Sequence, residues 1–115
     1  WLSIKQQKPV YIAGGFGGVA RAVCDQLLDK KRDEFSDTWS KQTIRDYEAV
    51  IALYTEHGGT LPTMEKIGIE LAEHARAGIA QTLNNGLDAQ ENIALMTCTD
   101  PQRIAGLVLT GIGRL

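Results

Sequence analysis

The chain has 115 residues, 43% of them hydrophobic and 23% charged, and a formal net charge of −2. That length suits one domain, read as 1–115, and the balance excludes disordered, collagenous and fibrous classes. The slight acidic excess argues against a nucleic-acid-binding face, and the longest apolar runs, such as Ile104 to Ile112, are far short of the roughly 18 residues of a membrane span.

The N-terminal Trp1-Leu2-Ser3-Ile4 reads like the middle of a helix. Pro9-Val10-Tyr11-Ile12-Ala13 follows, a short run rich in β-branched and aromatic residues that predicts one buried strand. Gly14-Gly15-Phe16-Gly17-Gly18 breaks it. From Val19 the period becomes helical: Val19, Val23 and Leu27 form one row, Ala20, Cys24 and Leu28 the next. Arg21, Asp25 and Asp29 fall on the opposite face and are expected in solvent. Strand, glycine turn and helix are thus expected in that order.

The run Lys30-Lys31-Arg32-Asp33-Glu34 reads as a solvated helix end and loop. A second helix is expected over 43–56, with Ile44, Tyr47, Ile51 and Tyr54 on one stripe and Gly58-Gly59 as its left-handed stop. Leu61-Pro62-Thr63 reads as a restart. Met64, Ile67, Leu71 and Ala75 then carry a third amphipathic helix to about Arg76. No period persists over 78–91, where Asn84-Asn85-Gly86 signals a turn. Ile93 to Cys98 reads as a second strand. Asp100-Pro101 opens a last helix, with an acceptor at its N-cap and proline at its first position; Ile104, Leu107, Val108 and Ile112 form its stripe.

Two apolar strands joined across a long helical excursion predict an α/β fold, a Rossmann-like parallel sheet with helices on both faces. Two strands alone do not cover their own faces and edges. The expectation is therefore an incomplete fold: its C-terminal part, with an N-terminal half missing or supplied by another chain. The exposed sheet edges imply a homo-oligomer.

Cys24 and Cys98 each sit in an apolar run and read as free thiols of a reducing, cytoplasmic compartment. His57 and His74 have no ligand partners at metal spacing, so no metal is expected. Ser36 and Ser40 lack a nucleophile elbow, and Glu65, Glu70 and Glu73 read as a solvated helix face.

The chemistry suggested by the sequence lies in the glycine turn. Successive glycines permit positive φ and let backbone N–H groups converge without side chains in the way. The free amides and positive dipole end of the following helix open into the same space. Such a cradle suits a phosphate or nucleotide diphosphate. Gly14, Gly15, Phe16, Gly17, Gly18 and Arg21 are the candidate ligand residues: Phe16 would lie against a base or ribose, and Arg21 would pair with an anionic oxygen. Thr97 and Thr99, after the second strand, are candidate secondary contacts. The turn lacks the Gly-Lys-Ser/Thr ending of a P-loop, and no acidic residue closes a following strand as in dinucleotide-binding folds. ATP hydrolysis and hydride transfer are disfavoured. The bland alternative is a glycine cluster that serves close packing alone.

The segment Lys8 to Arg21 resembles the second glycine motif of the SLOG superfamily, the STING/Lonely guy-like Rossmannoid domains. Gly86-Leu87-Asp88-Ala89-Gln90-Glu91-Asn92 and Thr97-Cys98-Thr99-Asp100-Pro101 look like the end of such domains. The resemblance implies a doubly wound sheet whose glycine turn cradles a nucleotide or nucleotide-derived ligand, such as NAD, ADP-ribose or an AMP-like molecule. It also implies a sensor in bacterial antiviral defence, fused to an effector domain such as TIR. One branch cleaves the N-glycosidic bond of nucleoside monophosphates through Pro-Gly-Gly-x-Gly-Thr-x-x-Glu. Here Ala13, Gly18 and Arg21 stand where that motif has proline, threonine and glutamate. A guanidinium in place of the carboxylate removes the acid/base group. Two functions follow: a binding sensor, or a nucleotide N-glycosidase (Lonely guy-like, or an NAD hydrolase) drawing on Glu65, Glu70 or an absent half. Catalytic residues stay unassigned. A third reading is a structural or oligomer-forming domain with Phe16 in an interface.

Overall fold

The computed structural model describes residues 1–60 and 62–115, so Leu61, the first residue of the expected restart, lies outside the described residues. Among the described residues eight α-helices follow one another: α1 Leu2–Lys5, α2 Gly18–Leu27, α3 Asp37–Thr43, α4 Tyr47–Glu56, α5 Met64–Arg76, α6 Ile79–Leu83, α7 Ala89–Thr97 and α8 Pro101–Arg114. One 3₁₀ turn, Asp33–Phe35, precedes α3. Among the described residues there is no β-strand.

The expected parallel α/β sheet is therefore corrected, and each strand fails for its own reason. Pro9–Ala13 joins no ladder. The loop after α6 occupies its backbone instead: the Val10 amide donates to the Leu83 carbonyl at 2.9 Å, and Asn85 Nδ2 donates to the Val10 carbonyl at 2.7 Å. The second apolar run became helix. Asp88 accepts the Glu91 amide while the Glu91 side chain accepts the Asp88 amide, a reciprocal capping box that starts α7 four residues ahead of Ile93. Its buried residues Asn92, Leu95 and Met96 recur at three- and four-residue spacing. A short apolar run fits a buried helix as well as a buried strand, and the cap decides between them.

Caps explain three other helix starts. Ser36 accepts the Trp39 amide to start α3, Thr63 accepts the Lys66 amide to start α5, and Asp100 accepts the Gln102 amide to start α8. The expected helix over 43–56 is divided, because Asp46 takes a left-handed φ of 57° and α4 begins only after it. Gly58, at φ 78°, ends α4 as expected.

The core gathers Ile4, Cys24, Leu27, Leu71, Leu83 and Met96, with Val10 and Ile12 packed against it. Helices α2 and α5 pack on one another at its centre. Gly68 makes room on α5, where a Cβ would lie 2.7 Å from Phe35 Cβ, and its carbonyl accepts Gln26 Nε2 at 2.9 Å. A buried amide pair closes the other end. Asn85 and Asn92 bond to each other and to the Val10, Leu87 and Asp88 carbonyls, so both full-length side chains are satisfied at 0% and 1% exposure. Tyr11 donates its hydroxyl to the Asn85 carbonyl, which fixes the chain just ahead of the glycines.

Candidate functional site

The five residues 14–18 divide into two pairs around Phe16. Gly14 and Gly15 are there for close packing. A Cβ on Gly14 would lie 2.7 Å from both Cys24 Sγ and the Met96 carbonyl oxygen. One on Gly15 would overlap the Cys98 carbonyl oxygen and lie 2.6 Å from its carbon. The first half of the turn is thus wedged between α2 and the 96–98 backbone.

Gly17 and Gly18 are there for conformation and openness. They take φ of 88° and 64°, and a Cβ on either would meet nothing within 4 Å. The Gly17 amide donates to the Gly14 carbonyl and closes the turn. No side chain caps α2. The amides of Gly15, Phe16, Gly18, Val19 and Ala20 meet no acceptor among the described residues. Phe16 and Val19 flank them at 67% and 81% exposure. The first turn of a ten-residue helix therefore opens outward with its donors free.

Arg21 does not turn toward these amides. Its Nε donates to Asp25 Oδ1 at 3.0 Å, one turn further along α2. Asp25, expected in solvent, is only 4% exposed and also faces Arg32 Nη1 at 3.4 Å. A buried carboxylate needs such partners, and here two guanidiniums supply them. Arg32 in turn forms a close pair with Glu34, which holds the Glu34 carboxyl below its ordinary range. Behind the turn, burial and the neighbouring Asp25 push the Cys24 thiol up to about 11, so it packs against Gly14 as a neutral group.

Thr97 and Thr99 lie where the Gly15 contact meets α8. With Cys98, Asp100 and Arg103 they line a concavity of about 310 Å³. Thr97 donates its hydroxyl back to the Ile93 carbonyl at 2.9 Å. The structure therefore sets Gly15 against the 97–98 backbone and pairs Arg21 with Asp25.

Glu65 and Glu70, candidates for an alternative catalysis, lie on α5 and away from the turn: Glu70 accepts the Trp1 indole N–H and pairs with Lys5 at 3.3 Å. The cysteines are free thiols, Cys24 buried and Cys98 half-buried. Among the described residues no helix is long and apolar enough to cross a membrane.

The glycine turn leaves the N-terminus of α2 without a side-chain cap and meets the 97–98 backbone at Gly15. Comparison with protein families gives it a lineage: a sequence model described as SLOG cluster2 matches residues 1–95. The chain belongs to the SLOG superfamily. The match includes the glycine turn and most of α7 and stops before α8. Comparisons with curated proteins and with solved structures find no match.

Proposed function

We propose that this domain binds a nucleotide or nucleotide-derived ligand of the NAD, ADP-ribose or AMP kind, and that it acts as a sensor controlling an effector in bacterial antiviral defence. The observation that carries the reading is the set of unaccepted amides at 15–20, opening from the N-terminus of α2 with no Cβ in front of Gly17 or Gly18. A phosphate there takes several N–H donors and the helix dipole together. Exposed Phe16 offers a face for a base or ribose. Family membership supports the nucleotide class. Binding favours a sensor over a hydrolase, because the nearest carboxylate on α2, Asp25, is buried and already engaged by Arg21 and Arg32.

Calorimetric titration with AMP, NAD and ADP-ribose tests the reading. The informative variant is Gly18→Asp, checked first for its helical circular dichroism: the space beside Gly18 is open, and aspartate is found at a φ near 64° more often than most side chains, at some cost in strain. The wild type is expected to bind at least one of the three and the variant none, its carboxylate repelling the anion. Equal heats for both proteins refute the reading.

A further inference from the structure

Helix α4 carries apolar residues that the fold does not use. None of its residues is buried, and its main neighbour is α3. The half-buried Tyr47 and Ile51 line the concavity against α3, whereas Val50, Leu53 and Tyr54 lie outside it and are exposed. Two rings on this surface are held in place without burial. The Tyr54 ring lies against Gly59, where a Cβ would overlap it, and His57 Nδ1 donates to the Leu53 carbonyl at 2.9 Å. A surface ordered in advance loses less entropy when it is covered.

The order of residues along α4 says what covers it. At about 100° per residue, Asp46, Val50, Leu53 and His57 fall on one stripe about 60° wide, with Glu48 on the far side. Val50 and Leu53 are centred between residues 51 and 52, and so are Asp46 and His57. A second α4 laid antiparallel about that point therefore sets Val50 level with Leu53 of the other copy. The same register sets Asp46 level with His57 at both ends. Such a pairing is apolar in its middle and complementary at its ends, a carboxylate against an imidazole, and the helix dipoles oppose one another. Parallel packing would instead set Asp46 against its own copy. The present contact of Asp46 with Arg45, at 3.6 Å between exposed side chains, is too weak to withhold it. We infer that the Val50–Leu53 face of α4 is a self-association surface, on which two copies of this chain pack antiparallel about a two-fold axis. The inference is independent of the ligand reading above. So few side chains fall well short of the roughly 20–30 residues a side of a stable interface, so the dimer is weak, with a Kd on the order of 100 μM.

The experiment is sedimentation equilibrium in low salt, at concentrations spanning that Kd, on the wild type, Leu53→Glu, Val50→Glu, Asp46→Asn and Leu109→Glu, each checked for its helical circular dichroism. Leu53 and Val50 are exposed, so the new carboxylates do not enter the core, and asparagine accepts the φ of 57° at position 46. Leu109, an exposed apolar residue of α8, is the control. The wild type is expected to dimerise, and Leu53→Glu and Val50→Glu each to weaken the dimer by more than roughly tenfold. Asp46→Asn should weaken it by roughly threefold, the strength of an exposed ion pair, and Leu109→Glu should leave it unchanged. A wild type that stays monomeric throughout overturns the inference and leaves the face to a different protein. Association that survives both α4 carboxylates, or that Leu109→Glu abolishes in their place, puts the contact elsewhere and overturns it too. A dimer lost in Leu53→Glu but unaffected by Asp46→Asn refutes the antiparallel register.

Discussion

Replacing Gly15 by alanine puts one methyl group where the structure has a main-chain carbonyl. The new carbon would overlap the Cys98 oxygen and lie 2.6 Å from its carbon. A flexible side chain could swing away, but this obstacle is the backbone that joins α7 to α8. Overpacking costs about 1–3 kcal/mol, and a collision with main chain belongs at the upper end, about 3 kcal/mol. For 115 residues the unfolding entropy near 60 °C is about 0.24 kcal/mol per K, so the melting temperature should fall by roughly 12 °C. Gly106→Ala is the matched control. It lies in the interior of α8 with nothing within 4 Å of its Cβ and an ordinary helical φ. There alanine should stabilise by about 1 kcal/mol, raising the melting temperature by about 4 °C. Thermal melts followed at 222 nm check both signs. A Gly15→Ala protein that melts with the wild type would refute the wedge of the turn against 97–98.

Four further outcomes follow from the same geometry. Asn92→Leu strands the Asn85 side chain and the Leu87 carbonyl, and should cost about 2–3 kcal/mol in urea unfolding; an unchanged midpoint would contradict the buried network. Iodoacetamide at pH 8 should label Cys98 well before Cys24, whose thiol is buried and raised to about 11 from 9.0, and mass mapping of the labelled peptide decides it. The same raised thiol makes the folded state hold a proton that the unfolded chain releases, so Cys24 makes stability fall as pH rises from about 9 toward 11; a Cys24→Ala protein with an identical slope there would contradict this. Arg114 grips Glu91 through two bonds of 2.6 and 3.0 Å and holds its carboxyl below the ordinary range. That contribution is present at neutral pH and is lost as pH falls through the depressed Glu91 value, so Glu91→Gln should flatten the acid limb of a pH–stability profile.

Helices with strong caps or long stripes were legible in the sequence. Met64–Arg76 and the Asp100-Pro101 start lie where their patterns place them, and the glycine turn opens the helix expected after it. Ile93 to Cys98 is too short for its period to decide between strand and helix, and the deciding signal is the Asp88–Glu91 capping box upstream of it. Val10 to Ala13 has strand composition, but composition does not create a partner, and Asn85 takes its hydrogen bonds instead. Within the site, the glycines were visible as glycines, yet their division into a packed pair and an open pair depends on Met96 and Cys98, far along the chain. Asp25 was assigned to solvent from helix phase alone, and the two arginines that make its burial tolerable belong to α2 and to the charge run at 30–34. Sequence phase also placed Val19 on the packed face, whereas it is 81% exposed beside the open amides.

The most direct test is a ¹H–¹⁵N correlation spectrum of the wild-type domain recorded during titration with ADP-ribose and, separately, AMP. The account predicts saturable shifts concentrated at the amides of Gly15, Phe16, Gly18, Val19 and Ala20, with smaller changes at Thr97 to Arg103. A spectrum in which those amides stay fixed while the ligand saturates, or in which the shifts collect on α3 and α4, would contradict it.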